Sequence, residues 1–296
     1  LIIFAMKHEL KEIFAVVNNK GGVGKTTTVQ SLAAAMVRLN PKYRILVIDI
    51  DPQCNLSSLM GLNPRDCRTV FDAMREQSGL TVYKCYNGVY AACGSAQMQD
   101  IENYLPGGSS WREKKRAYYV LARCIQEGPI DDKTGEGLKS VFDDFDYVFI
   151  DCPPALSMNT YNAMVAASSL LIPVQMQALS VRGLGEILNV FKEVNIDGLN
   201  TDLNLAVLLP VMLDKRTKIT GELLQLLHDR FDKEVEEEEN KDKKNDQKLL
   251  IFEPGIRICS KVADSQKFNH SVYDDYPYCP AAIDYTLVAQ KLTARK

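Results

Sequence analysis

The 296-residue sequence contains no apolar run approaching the roughly 20 residues that a membrane-crossing helix needs, which argues against an integral membrane protein. It contains no Cys-x-x-Cys pair and only three histidines, so a zinc site is not expected. Its eight cysteines, at 54, 67, 85, 93, 124, 152, 259 and 279, are scattered as reduced thiols are, not spaced as a disulfide framework. It has no excess of positive charge. Lysine and arginine number 35 against 38 acidic residues, a formal net charge of −3. Any attraction to a nucleic acid must therefore come from a local patch. It also lacks a secretory leader pattern, because Lys7, Glu9, Lys11 and Glu12 follow the short apolar stretch Leu1 to Ala5 at once. Met6 is the expected natural start.

What is present suits a globular chain: 46% hydrophobic and 25% charged residues, enough to bury a core. One domain is expected over 1–296, with 1–11 as an N-terminal extension. Short β-rich runs alternate with helical stretches. Ile13 to Val17, Ile45 to Ile48, Tyr147 to Ile150, Leu170 to Val174 and Leu203 to Leu209 read as buried strands. Thr26 to Leu39 reads as a helix, with Ala33-Ala34-Ala35 at its centre and Asn40-Pro41 at its end. Further helices are expected near 159–168, 179–195, 220–231 and 281–293. Near-continuous apolar strands separated by helices predict an α/β fold, a mostly parallel twisted sheet with helices on both faces. The stretch 75–140 gives a weaker pattern, with Trp111 to Arg116 opening a helix. Residues 233–248, with four consecutive glutamates and then Lys241, Lys243 and Lys244, read as a solvated charged loop.

Directly after the first strand stands Lys20-Gly21-Gly22-Val23-Gly24-Lys25-Thr26-Thr27. Strand, glycine-rich loop and helix in that order make a phosphate-binding loop. The glycines let consecutive N–H groups turn toward phosphate oxygens, and the helix N-terminus adds its dipole. Lys25 is placed to reach the β- and γ-phosphates, the Thr26 hydroxyl to ligate Mg²⁺, and Thr27 to bond the α-phosphate side. The usual first glycine of such loops is absent, since Asn19 holds its position, and Lys20 is an additional cation.

Two carboxylate sites follow at strand ends, where ligands of parallel sheets gather. Ile48-Asp49-Ile50-Asp51-Pro52-Gln53 ends the second predicted strand, and Phe149-Ile150-Asp151-Cys152-Pro153-Pro154 the third. Asp151 reads as the aspartate that holds Mg²⁺ through water. Asp49 and Asp51 are expected on opposite faces of the chain, one serving the metal shell and the other orienting the attacking water.

These blocks, with Leu171-Ile172-Pro173-Val174-Gln175, resemble the ParA/MinD group of deviant-Walker P-loop ATPases, and most closely its ParA/Soj partition branch. The likeness runs from about residue 12 to the C-terminus and is weak between 75 and 140. It implies ATP and Mg²⁺ as cofactors, slow ATP hydrolysis, and an ATP-dependent homodimer in which Lys20 reaches the partner's phosphates. By position it makes Asp51 the residue that readies the hydrolytic water and Asp49 a magnesium-side residue. It also implies non-specific binding to double-stranded DNA, stimulation by a ParB-type partner, and a cytoplasmic, nucleoid-associated location. Arg216 and Arg257 match the family's DNA-binding arginines, with Lys215, Lys218, Lys261 and Lys267 extending the patch. Met212 and Pro254 are expected beside the adenine. Cys54 departs from the family, which has glycine there.

Three other readings compete with this one. A MinD-like membrane-associated positioning ATPase needs a C-terminal amphipathic helix, and Ala281 to Lys296 offers only Ile283, Leu287 and Leu292. An ATP-gated scaffold for a cargo other than DNA would share the same loop. An iron–sulfur reading rests on Cys152 lying toward the dimer side.

Overall fold

A computed structural model of the chain describes residues 10, 12–85, 88–107, 115–127, 141–176, 184–214, 222, 225, 250–253 and 255–294. Among them, eight strands form one sheet: β1 (Glu12–Val16), β2 (Ile45–Asp49), β3 (Tyr83–Lys84), β4 (Tyr90–Ala92), β5 (Tyr147–Asp151), β6 (Ser169–Gln175), β7 (Asn204–Val211) and β8 (Leu250–Ile251). Their order is β3-β4-β2-β5-β1-β6-β7-β8. Only β3 and β4 pair antiparallel; the other neighbours are parallel. The helices are α1 (Lys25–Leu39), α2 (Asn55–Leu59), α3 (Val70–Glu76), α4 (Val120–Gln126), α5 (Val141–Asp144), α6 (Met158–Ala166), α7 (Leu184–Ile196), α8 (Ser260–Gln266), α9 (Val272–Asp275) and α10 (Pro280–Thr293).

The central strands are apolar at every position because both faces are covered. Ile13, Ala15, Leu46, Ile48, Val148 and Ile150 join one core, shared with residues of α3, α4, α6 and α7. Phe14, Val16, Ile45, Val47, Tyr147 and Phe149 join the other, shared with α1 and α10. Phe14 and Phe149 stack there at 5.2 Å between ring centroids. The parity of a residue along its strand thus fixes its side of the sheet.

The predicted strands and α1 lie within a residue or two of their observed bounds. Asn40 ends α1 in an extended conformation, its N–H donating to the Met36 carbonyl. The C-terminal helix α10 turns Ala281, Ala282, Tyr285, Val288, Ala289 and Leu292 into the core. Its apolar face is consumed inside the fold, while Ile283 and Leu287 stay partly exposed on the other side. No helix of the described residues is long and apolar enough to cross a membrane. The weakly patterned stretch contributes α4 and the edge pair β3–β4. The predicted charged loop at 233–248, the N-terminal residues 1–9 and residues 111–114 of the Trp111 segment lie outside the described residues, as does most of the predicted helix at 220–231.

Candidate nucleotide site

The site forms where β1, β2 and β5 end side by side. β1 leads into Asn18, a buried side chain that fixes the loop from both ends. Its Oδ1 accepts the Lys20 N–H at 2.9 Å and its Nδ2 donates to the Pro173 carbonyl at 2.7 Å. Gly22 and Gly24 then take left-handed φ values of 73° and 82°, which side chains disfavour. Val23 anchors the loop with no exposed surface. A Cβ added at Gly21 or Gly22 would meet nothing within 4 Å, so the rim is open. Lys25 is buried, and its Nζ donates to the Lys20 carbonyl at 3.2 Å, so the loop curls around its own lysine. Burial pulls the Lys25 pKa down, with Asp151 pulling it up.

The parity rule places the carboxylates. Asp49 and Asp151 are register partners on neighbouring strands. Each follows its strand's apolar residues in the parity that faces α1. Strand alternation returns to the same side at every second residue, so Asp51 was wrongly expected opposite Asp49. Instead the Asp51 N–H folds back to Asp49 Oδ1 at 3.2 Å, and both carboxylates act electrostatically on Asp151.

The three differ in how they are held. Asp49 accepts the Ser57 N–H at 2.8 Å and the Ser57 hydroxyl at 2.6 Å, both on Oδ2. The Gly94 N–H donates to that hydroxyl at 2.8 Å. Burial nevertheless raises the Asp49 pKa to about 6. Asp49, expected on the magnesium side, accepts these three protein hydrogen bonds and so braces the turn that carries Asp51. Asp51 is nearly buried, and its Oδ1 accepts the Gln53 N–H at 2.9 Å. Asp151 is fully buried, and neither of its oxygens has a well-formed hydrogen bond among the described residues. Burial drives its pKa well above the usual carboxylate range, Asp49 adds to this, and the neighbouring Thr26 hydroxyl opposes it.

Among the described residues no three of His, Cys, Asp and Glu converge to hold a metal unaided. Mg²⁺ does not need such a cage, since it takes one or two carboxylates together with phosphate oxygens and waters. Asp151 with two unpaired oxygens, beside Thr26, fits that donor set.

Cys54 has φ 53°, the left-handed region, and its N–H donates to the Asp51 carbonyl at 2.9 Å. This gives a physical reason for a glycine at that position in the family: the turn after Asp51 requires positive φ. Burial and the two nearby aspartates push the Cys54 thiol up to about 12.

The remaining predicted residues divide. The Thr27 hydroxyl accepts from Gln266 Nε2 at 3.2 Å. Met212, also left-handed at φ 56°, overhangs the loop: a Cβ on Gly24 would lie 3.9 Å from its Cε. Lys20 is partly exposed at the loop rim. Pro254 and Arg216 lie outside the described residues. Arg257, expected to face DNA, pairs with Asp284 on α10 while its side chain stays partly exposed. Cys152 is fully buried, its thiol meeting the Ile150 carbonyl, so it faces the core rather than a dimer surface. Sequence reasoning missed Ser57, Gly94 and Gln266. None of them sits in the motif it serves, and no local pattern marks them.

Residues 11–205 match the family model of the AAA domain. Sporulation initiation inhibitor protein Soj of Bacillus subtilis is 32% identical over 215 residues, 72% of this chain and 78% of that protein. Chromosome-partitioning ATPase Soj of Thermus thermophilus is 28% identical over 281 residues, 95% of each chain. Among solved structures, cobyrinic acid a,c-diamide synthase from Mycobacterium smegmatis with bound ATP analog and magnesium gives a TM-score of 0.72 at 26% identity, covering 95% of this chain and 93% of that one.

Proposed function

The chain belongs to the AAA-domain family of Soj- and ParA-type ATPases, and from that premise we propose an ATP-driven partition protein whose nucleotide state controls its hold on DNA. It is an ATPase of the partition and positioning class, using ATP and Mg²⁺. The observation that carries the reading is Asp151: a fully buried carboxyl with neither oxygen in a well-formed hydrogen bond among the described residues, beside the lysine and threonine of a phosphate loop. A bound cation would offset the cost of burying this group in its charged form.

The roles follow from placement. Lys25 neutralises the β- and γ-phosphates once its Nζ leaves the Lys20 carbonyl. Thr26 and Asp151 hold Mg²⁺, which supplies charge neutralisation at the phosphates. Asp51, at the mouth of the site and braced by Asp49, orients the hydrolytic water. Lys20 at the rim is positioned to cross to a second copy in an ATP-dependent homodimer, as a cation offsetting transition-state charge. One domain over 1–296 carries all of this.

DNA binding falls to a local basic patch, because the net charge is −3. In this reading Arg216 and Arg257 carry it, with Lys215, Lys218, Lys261 and Lys267 extending it. A ParB-type partner accelerates hydrolysis. The inward packing of α10 favours DNA over a membrane surface.

The test is binding to a duplex of arbitrary sequence with ATP, ADP or no nucleotide, across a salt series. Binding with ATP alone, falling steeply with salt, is the expected result. Absence of binding in every state would overturn the DNA reading and leave the ATPase assignment standing.

A further inference from the structure

The first turn of α1 is tied to α8 by one side chain. Gln266 Nε2 donates to Thr27 Oγ1 at 3.2 Å and to Gln30 Oε1 at 3.2 Å. Gln30 is 1% exposed and its own Nε2 has no partner among the described residues. Gln266 therefore bridges the phosphate loop's helix to a buried polar residue one turn further on. One residue after Thr27, the Thr28 hydroxyl meets the Tyr285 hydroxyl of α10 at 3.3 Å, so the same turn is pinned to the C-terminal helices twice.

A threonine hydroxyl carries one proton and two lone pairs. With Gln266 donating to one lone pair, the Thr27 proton must point elsewhere. A phosphate oxygen only accepts. Gln266 thus holds the Thr27 hydroxyl in the orientation that a phosphate requires. Once that proton is donated, the Thr27 oxygen becomes a stronger acceptor, because linked hydrogen bonds polarise one another. The Gln266 contact then tightens, and with it α8. That helix carries Lys261 and Lys267 on its exposed side, both paired to Asp264.

We infer that Gln266 is a positioning residue for the nucleotide: it presets Thr27 as a donor and transmits occupancy of the loop to α8. This rests on the reading that the loop holds nucleotide phosphate.

The experiment is hydrogen–deuterium exchange on the full chain, with and without Mg²⁺-ADP, read peptide by peptide, beside nucleotide affinity. In the wild type, nucleotide slows exchange in both the loop and α8. Gln266→Ala keeps the loop response and loses the α8 response. Its nucleotide affinity falls about fivefold, the equivalent of one net hydrogen bond. In a Thr27→Val background, Gln266→Ala costs nothing further. Gln266→Glu, nearly the same shape but unable to donate when ionised, behaves like the alanine variant and guards against a packing artefact. An unchanged α8 response in both variants, or an equal loss of affinity with and without the Thr27 hydroxyl, overturns the inference. A wild-type loop that shows no protection overturns the nucleotide reading itself.

Discussion

Arg257 grips Asp284 by both carboxylate oxygens. Nε donates to Oδ2 and Nη2 to Oδ1, each at 2.8 Å, and the Arg257 backbone N–H adds a third bond to Oδ2 at 2.9 Å. Nη2 also reaches the Pro280 carbonyl at 3.2 Å, at the start of α10. The Asp284 side chain is 4% exposed and that of Arg257 31%. A residue matched by sequence to DNA contact is thus fastened to the C-terminal helix.

Arg257→Ala is expected to cost about 3 kcal/mol of folding stability, because it strands a buried carboxylate. Arg257→Lys should recover little, since an ammonium cannot make the two-pronged contact. Urea unfolding measures both. A stable alanine variant with weakened DNA binding would restore Arg257 to the DNA surface.

Gly94 touches Asp49 through space. A Cβ there would lie 2.9 Å from Asp49 Cγ and 3.1 Å from the Asp49 backbone oxygen. Gly94→Ala should destabilise the fold by about 1–3 kcal/mol through overpacking. It should also slow ATP turnover, because the Ser57–Asp49 brace shifts. Thermal unfolding and steady-state hydrolysis on one preparation report both effects.

Lys25→Ala should abolish nucleotide binding, which calorimetric titration would read directly. Lys20→Ala should still bind ATP but fail to dimerise or hydrolyse properly. Size-exclusion chromatography with ATP separates the two. Similar losses in both variants would remove the distinction drawn between the lysines.

Asp51→Ala should bind ATP and persist as the ATP dimer, with turnover reduced by orders of magnitude. Unchanged turnover would sink the role assigned to it.

The Asp49 carboxyl supplies a pH dependence with a definite sign. Its folded pKa is about 6 against an ordinary value of 3.8. A raised acid pKa means the folded state takes up the proton first. The nucleotide-free protein should therefore gain stability from this group as pH falls through 6, the gain becoming complete below 3.8. By pH 5 the gain is about 1 kcal/mol. Asp49→Asn should reduce that slope, with Asp151, whose pKa burial also raises, supplying the remainder. Denaturant midpoints for both proteins at pH 7.5 and 5 provide the check, and equal slopes would contradict the assignment.

The phosphate loop, the strands on either side of it and α1 were legible because their information is local. Eight consecutive residues, Lys20 to Thr27, carry the loop chemistry, and unbroken apolar runs declare strands buried on both faces. β3 and β8, two residues each, and β4, three, are too short to show any period. The sheet order joins β1 to β5 and β6, and no chain-local signal states which strands become neighbours. Likewise only the pairing of β2 with β5 brings Asp49 opposite Asp151.

The sequence by itself determined the chemistry available: one loop for phosphates, three carboxylates at strand ends, and a chain without bulk positive charge. Tertiary structure decided what each group does. Ser57 and Gly94 brace Asp49 against the turn that carries Asp51, and Asp284 pairs with Arg257. Gln266 came to Thr27 from 239 residues away. The reason is that a residue's type and its neighbours set what it can bond to, whereas hydrogen bonds in a buried site are satisfied by whichever partners packing delivers.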